Sequence, residues 1–541
     1  MNEATERLSS APSPQPKGTL SGQVSRAMLW NATLQPLRLL AGLLSGIVVT
    51  NVLSADAYGT IARLGAMAAT LGLFVDLGVE RGLVKFLPEI EARYGRAGVR
   101  NALWIVIAQK LAILAVAIAL MLVFRERFFE FWRRQVAEQN VLALLDAHRW
   151  VFFWALVALI VFGAVFDVYM QALTAYFRQR ASGSISIVTT LLKPLLLIAV
   201  VLVGWGVLGV VGAMVAIPIV ATLLAAWRVA TVRRDLDERP TQPTAGARLV
   251  PRFAAYCGLS YWIQITEYFY SVDFIVLAIP AAAAAAGFKF TYSIVGQLLT
   301  ALWSPMVGVQ IPLFARLHSR NDDRQLASAY TILSKFLAVL LIPAAIGLAL
   351  LAHNLIATIN PKYLAFDTVA RILTICLCLD AAISVPLSIL MAYERYRPML
   401  VARTAALVAV PLVLFVAPHY GVVGAALVMG GTRLMCDGLA MALALRALPI
   451  RYPLAFAARV TGAAALMALV IAPVALTLLR PPGDASVTLR LAYLAGNGLL
   501  AGVGGLVFFG LFKLTGGLDP EDRRRVAELR LPVAARLLRF L

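Results

Sequence analysis

Apolar residues run through this chain in long uninterrupted blocks, not in the short alternating or one-faced patterns of a soluble domain. The blocks fall at about 27–53, 57–79, 100–124, 149–177, 183–204 and 207–229. They resume at about 253–280, 282–315, 326–352, 365–392, 397–417, 421–445, 455–479 and 489–513. Each is long enough to cross hydrocarbon, which takes roughly 20 residues of α-helix. The pattern predicts an all-α polytopic membrane protein of about 14 transmembrane helices.

The polar stretches between the blocks set the boundaries. Residues 1–26 are polar, rich in Ser and Pro, and read as a disordered tail. A six-helix lobe follows over 27–230, then an Arg-flanked linker over 231–252, a second six-helix lobe over 253–450, an additional helix pair over 451–514 and a basic tail over 515–541. Lys and Arg concentrate in alternate connections, which places those connections and both termini in the cytoplasm. One connection departs from this bias. Segment 125–148 carries Arg125, Arg127, Arg133 and Arg134 on the other side, offset by Glu126, Glu130, Glu138 and Asp146. Its Phe128, Phe129, Phe131 and Trp132 point to an amphipathic helix lying on the membrane surface.

Composition agrees with this reading. Of 541 residues, 61% are hydrophobic, and the mean hydropathy is +0.83, too apolar for a soluble chain of this size. A net charge of +20 raises a nucleic-acid partner, but the basic residues are scattered in short clusters between spans and form no basic domain, so none is expected. Cys257, Cys376, Cys378 and Cys436 lie within apolar blocks and read as packing residues. His148, His318, His353 and His419 show no ligand spacing. Neither a metal nor a cofactor is expected.

The two halves echo each other. The fourth span exits through Ala175-Tyr176-Phe177-Arg178-Gln179-Arg180 and the tenth through Ala392-Tyr393-Glu394-Arg395-Tyr396-Arg397. Pro194 then falls opposite Pro411, and Gly209-Val210-Val211-Gly212-Ala213 opposite Gly421-Val422-Val423-Gly424-Ala425. These matches keep the order of the spans, so the lobes are a parallel repeat related by an axis along the membrane normal, with the last helix pair outside it.

A charge at mid-helix costs about 2.5–3.5 kcal/mol on insertion scales, so each one asks for a cavity or a partner. Arg38, Arg63, Lys110, Asp167 and Lys193 qualify in the first half. Glu267, Asp273, Lys289, Arg371, Asp380 and Asp437 qualify in the second, where Arg371, Asp380 and Asp437, with Arg433, read as interhelical pairs. The first-half set is mostly cationic, which suits a cavity for an anionic group such as a diphosphate, with Arg38, Arg63, Lys110 and Lys193 as candidate substrate-binding residues. Aligning Gly59 with Gly287 sets Arg38 beside the depth of Glu267, which with Asp273 and Asp167 is a candidate ion-coupling carboxylate.

The opening hairpin, from the Tyr58-Gly59 turn to Asp76-Leu77-Gly78-Val79 and the basic Leu87-Pro88-Glu89 exit, resembles that of Wzx-type oligosaccharide flippases of the MOP exporter superfamily. Asp273-Phe274-Ile275-Val276-Leu277, Ile311-Pro312-Leu313-Phe314-Ala315-Arg316, Pro361-Lys362-Tyr363 and Tyr420-Gly421-Val422-Val423-Gly424 continue the resemblance in order over most of 27–445. It implies two six-helix lobes around a V-shaped cavity, and export of polyprenyl-diphosphate-linked oligosaccharide across the bacterial inner membrane by alternating access. Membrane lipids, a polysaccharide polymerase and a chain-length regulator are the partners it implies. Related lipid II flippases carry arginines on the first helix; Arg38 matches one, Leu44 stands at another, and Asp76 lies near a basic position of the second helix. A cation-coupled multidrug exporter of the same fold is the alternative. A membrane glycosyltransferase or polymerase is a third reading, disfavoured by the lack of a large extracytoplasmic loop.

Overall fold

The computed structural model describes residues 36–37, 39–175, 179–234, 246–319, 323–482 and 486–517. The expected tail 1–26, residues 235–245 of the linker and the basic tail beyond residue 517 lie outside the described residues. Among the described residues the chain is all-helical, and ten of its helical stretches are long and apolar enough to cross a membrane.

The first lobe begins with α1 (Leu39–Val52) and α2 (Ala55–Asp76), whose N-terminus is capped by the Ser54 side chain accepting from the Ala57 N–H. α2 stops where Leu77 and Gly78 both take positive φ, and the chain resumes as α3 (Val79–Val123). The basic stretch after residue 79, read from sequence as a connection, is thus helical. Gly95 (φ 60°) interrupts α3 in a backbone conformation that side chains with a Cβ rarely adopt, and folds 96–123 back beside 79–94. Two short helices, α4 (Arg125–Arg133) and α5 (Gln139–Ala147), lead to α6 (Arg149–Ala175), α7 (Gln179–Val203) and α8 (Gly206–Arg234). α6 is the centre of the lobe, packing on α2, α3 and α8 through Phe152, Leu156 and Ile160 at one level and Val168, Ala172 and Leu173 at the other.

The second lobe departs from expectation at its first span. That span divides into α9 (Gly246–Tyr268) and a short α10 of 7 residues (Val272–Ala278), because the Ser271 side chain accepts from the Phe274 N–H and restarts the helix. α11 (Ala282–Ser319), α12 (Asp323–Ile359), α13 (Asp367–Ile383), α14 (Val385–Ala392), α15 (Tyr396–Thr404) and α16 (Ala409–Ala447) complete it. Gly421 (φ 59°) turns α16 back on itself, with a positive φ like that of Gly95 in the first lobe. The final pair, α17 (Leu454–Pro473) and α18 (Val487–Leu514), packs on α12. A buried amide pair fixes it there: Asn354 donates to the carbonyl of Ala475 (2.7 Å) and to Asn497 (3.1 Å), and Asn497 donates to Leu479 and Tyr493.

The lobes meet at two seams of different chemistry. At the end carrying the α1–α2 turn, Asn360 donates to the Thr50 carbonyl (2.8 Å) and Asn51 to that of Ile359, while Tyr58 meets Tyr363 edge-on. There α2 and α11 approach so closely that a Cβ on Gly59 would lie 2.0 Å from the Ala282 carbonyl oxygen. At the basic end the seam is ionic and aromatic. Arg81 pairs with Glu267 (3.2 Å), Lys85 with Glu394 (3.5 Å) and Arg252 with Glu89 (3.4 Å), and Phe86 packs between Phe253 and Tyr256.

Candidate functional site

Lys110 lies in the returning arm of α3 with 2% of its side chain exposed, so its charge needs partners. The break at Leu77–Gly78 supplies them: Asp76 at the end of α2 sits 3.1 Å away and Glu80 in the new helix 2.5 Å away. Asp76 Oδ1 also accepts the Glu80 N–H, while its buried Oδ2 has no hydrogen-bond partner. Asp167, on α6, is within electrostatic reach of Lys110 and Asp76. One cation is therefore held among three carboxylates. The cationic surplus read from sequence in the first lobe is correspondingly smaller, because Asp76 and Glu80 join its buried charges.

A second network runs from one lobe into the other. Glu267 on α9 accepts from Arg81 of α3 and lies 3.5 Å from Arg403 of α15. Arg403 donates to the Tyr270 hydroxyl and pairs with Asp437 (3.1 Å). Asp437 lies beside Asp380, which holds Arg433 at 2.9 Å. The return of α16 at Gly421 is what brings Arg403 and Asp437, far apart in sequence, into contact. Glu267 is the link between the lobes.

The third group lies where α7 of the first lobe and α11 of the second come within electrostatic reach of each other. Lys193, one residue before Pro194 in α7, is exposed; Lys289 of the opposite lobe is within its reach, and no carboxylate pairs with it among the described residues. Lys289 is held by Asp273 at 2.7 Å. Like charges facing across a gap, one of them without a carboxylate partner, define a place where an anion is favoured.

Of the sequence-derived candidates, Arg38 lies outside the described residues. Arg63 is 2% exposed and donates to the carbonyl of Ile279 at the α2–α10 contact, so it sits within packed structure at the seam. Lys110 and Asp167 belong to the carboxylate cluster, Glu267 to the interlobe network, and Lys193 and Asp273 to the gap, with Lys289 between them. Sequence reasoning did not assign roles to Asp76, Glu80, Lys289, Arg81 or Arg403. The four-residue spacing of Asp76 and Glu80 was a usable signal, since it survives the helix break.

Comparison with known proteins places this geometry. Residues 24–318, more than half of the chain, match the family model described as "Polysaccharide biosynthesis protein". No curated protein matches the chain by sequence. Among solved structures, the fold is similar to the lipid II flippase MurJ in an inward closed conformation, with TM-score 0.64 and 14% identity over 89% of this chain and 97% of that one. It is also similar to an inward-facing multidrug resistance MATE family transporter of the MOP superfamily, with TM-score 0.55 and 13% identity over 78% and 98% of the chains. A mutant of the Vibrio cholerae MATE transporter VcmN gives TM-score 0.51 and 16% identity over 79% and 98%. The sequence match and these shared folds agree: the chain belongs to the polysaccharide biosynthesis protein family and has the MOP superfamily transporter fold.

Proposed function

We propose that the protein flips a polyprenyl-diphosphate-linked oligosaccharide across the bacterial inner membrane by alternating access of its two lobes. The observation that carries this reading is the pair Lys193 and Lys289, of which Lys193 has no carboxylate partner among the described residues. A diphosphate supplies that counter-charge, whereas a cationic drug would be repelled. The structural neighbours, a lipid II flippase and a multidrug transporter, support transport over catalysis.

Within this reading Lys193 and Arg38 hold the diphosphate. Arg63 and Lys110 reach it only when their present partners exchange as the lobes rock. Glu267, Asp273 and Asp167 couple the cycle to an ion gradient, Glu267 foremost because its partners belong to both lobes. Both termini are cytoplasmic, the basic seam faces the cytoplasm, and the flipped saccharide passes to a polysaccharide polymerase and chain-length regulator for O-antigen or exopolysaccharide assembly.

The test is flipping of a fluorescent lipid-linked saccharide by purified protein in proteoliposomes. Lys193→Ala loses most of the activity while the protein stays folded, and Lys193→Arg keeps part of it. Normal flipping by Lys193→Ala, or efflux of a cationic dye that the saccharide lipid does not inhibit, would overturn the assignment.

A further inference from the structure

Between α4 and α5 lies a cleft of about 310 Å³ whose chemistry is unlike that of the interlobe gap. One wall is a single stripe of α4, Glu126, Phe129, Glu130 and Arg133, at the helical spacing i, i+3, i+4, i+7. Asp146 and Arg149 form the other. Both charge signs thus line one small space, three carboxylates against two guanidiniums.

These charges are solvent-exposed. Arg133 meets Asp146 at 3.5 Å, Glu126 meets its neighbour Arg125 at 3.4 Å, and Glu130 pairs with Arg134 outside the cleft at 2.5 Å, all with side chains more than half exposed. Exposed pairs of this kind add little stability and exchange readily. Arg149 lies over the ring of Phe129, 5.8 Å from its centroid, and no carboxylate pairs with it among the described residues.

The cleft opens at a defined depth. It joins the end of the span Arg93–Val123 to the start of the span Arg149–Ala175, and Phe124, Phe131, Trp150 and Trp154 are exposed around it. Aromatic side chains in this setting sit at the headgroup layer. The ligand that meets a two-signed cleft at that depth is a phospholipid headgroup carrying both a phosphate and a charged nitrogen.

We propose that this cleft binds the headgroup of a phosphatidylethanolamine-type lipid, its phosphate on Arg149 and Arg133 and its ammonium on Glu126 and Glu130. The ammonium donates N–H bonds to the carboxylates, which a quaternary choline cannot do. An anionic headgroup would face an excess of carboxylates. A saccharide would want a bare aromatic face, but Arg149 covers that of Phe129, and Trp132 is turned edge-on to Phe152.

Occupancy has a structural consequence. The same segment holds both lobes: the Gln135 carbonyl accepts from the Ala282 N–H (3.0 Å), and Asp56 accepts from the N–H groups of Ala137 and Glu138 (3.1 and 2.7 Å). A seated headgroup steadies this tie and favours the state in which that end is shut.

The test is native mass spectrometry of the full-length detergent-purified protein, exposed in turn to phosphatidylethanolamine, phosphatidylcholine and phosphatidylglycerol of identical acyl chains. Retention of the ethanolamine lipid should exceed each of the others about ten-fold, the size of one charge-assisted hydrogen bond. Arg149→Glu and Glu126→Gln should each abolish the preference, while Arg127→Glu, on the same helix but outside the cleft lining, should keep it. Equal retention of the three lipids, persistence of the preference in both cleft variants, or its loss in Arg127→Glu would overturn the site.

Discussion

Removing the Lys110 ammonium should unbalance the first lobe more than any other single charge change. In Lys110→Met the apolar volume stays, but Asp76 and Glu80, now 3.1 and 2.5 Å from an ammonium, lose their counter-charge with Asp167 close by. Breaking a buried ion pair from one side costs about 3–5 kcal/mol, against a typical stability of about 5–15 kcal/mol. The expected result is a large fall in the thermal midpoint, measured by heating the detergent-purified protein and following the folded fraction by size exclusion. The combined variant Lys110→Met, Asp76→Asn, Glu80→Gln removes the charges together and should recover most of the loss. A single variant as stable as the parent would show that Lys110 is not held by these carboxylates and faces open cavity instead. A triple variant no better than the single would show that packing, not charge, sets the cost.

Three further outcomes follow from the geometry. Gly59→Ala should cost about 1–3 kcal/mol, because the new methyl meets the Ala282 carbonyl, whereas Gly46→Ala, with nothing within 4 Å, should be close to neutral in the same melting assay. Asn354→Leu leaves the Asn497 Oδ1 and the Ala475 carbonyl without their donor and should cost about 1–3 kcal/mol, and limited proteolysis should then cut first between α12 and the helix pair; Asn354→Leu with Asn497→Leu should recover part of it. Glu267→Gln should slow flipping in proteoliposomes and remove its dependence on the imposed ion gradient, and unchanged gradient dependence would move the coupling role to Asp273 or Asp167.

The helical architecture was legible because hydrocarbon imposes a length on every span, and that length shows in the apolar blocks without any tertiary information. The breaks were less so. Leu77 takes a positive φ inside an apolar block where a leucine gives no warning, and the division of α9 from α10 rests on one serine, Ser271. Charges could be located but not paired. Lys110 and Glu80 stand 30 residues apart and meet because of Gly95; Arg403 and Asp437 meet because of Gly421. Along the sequence each charge is visible only on its own helix, so Lys110 reads as a free cation and Lys289 has no role.

The unlike chemistry of the two seams means that ionic strength acts on the lobes from one side only. The charge pairs Arg81–Glu267, Lys85–Glu394 and Arg252–Glu89 are partly exposed, and their attraction shrinks as the screening length falls from about 10 Å at 0.1 M salt to about 3 Å at 1 M. The opposite seam is made of amide hydrogen bonds, a glycine contact and the buried hydrogen bond from Arg63 to Ile279, and burial leaves it little screened by salt. Salt alone thus tilts the conformational balance toward opening at the basic end, and a preparation buffer becomes a handle on which face of the transporter is presented.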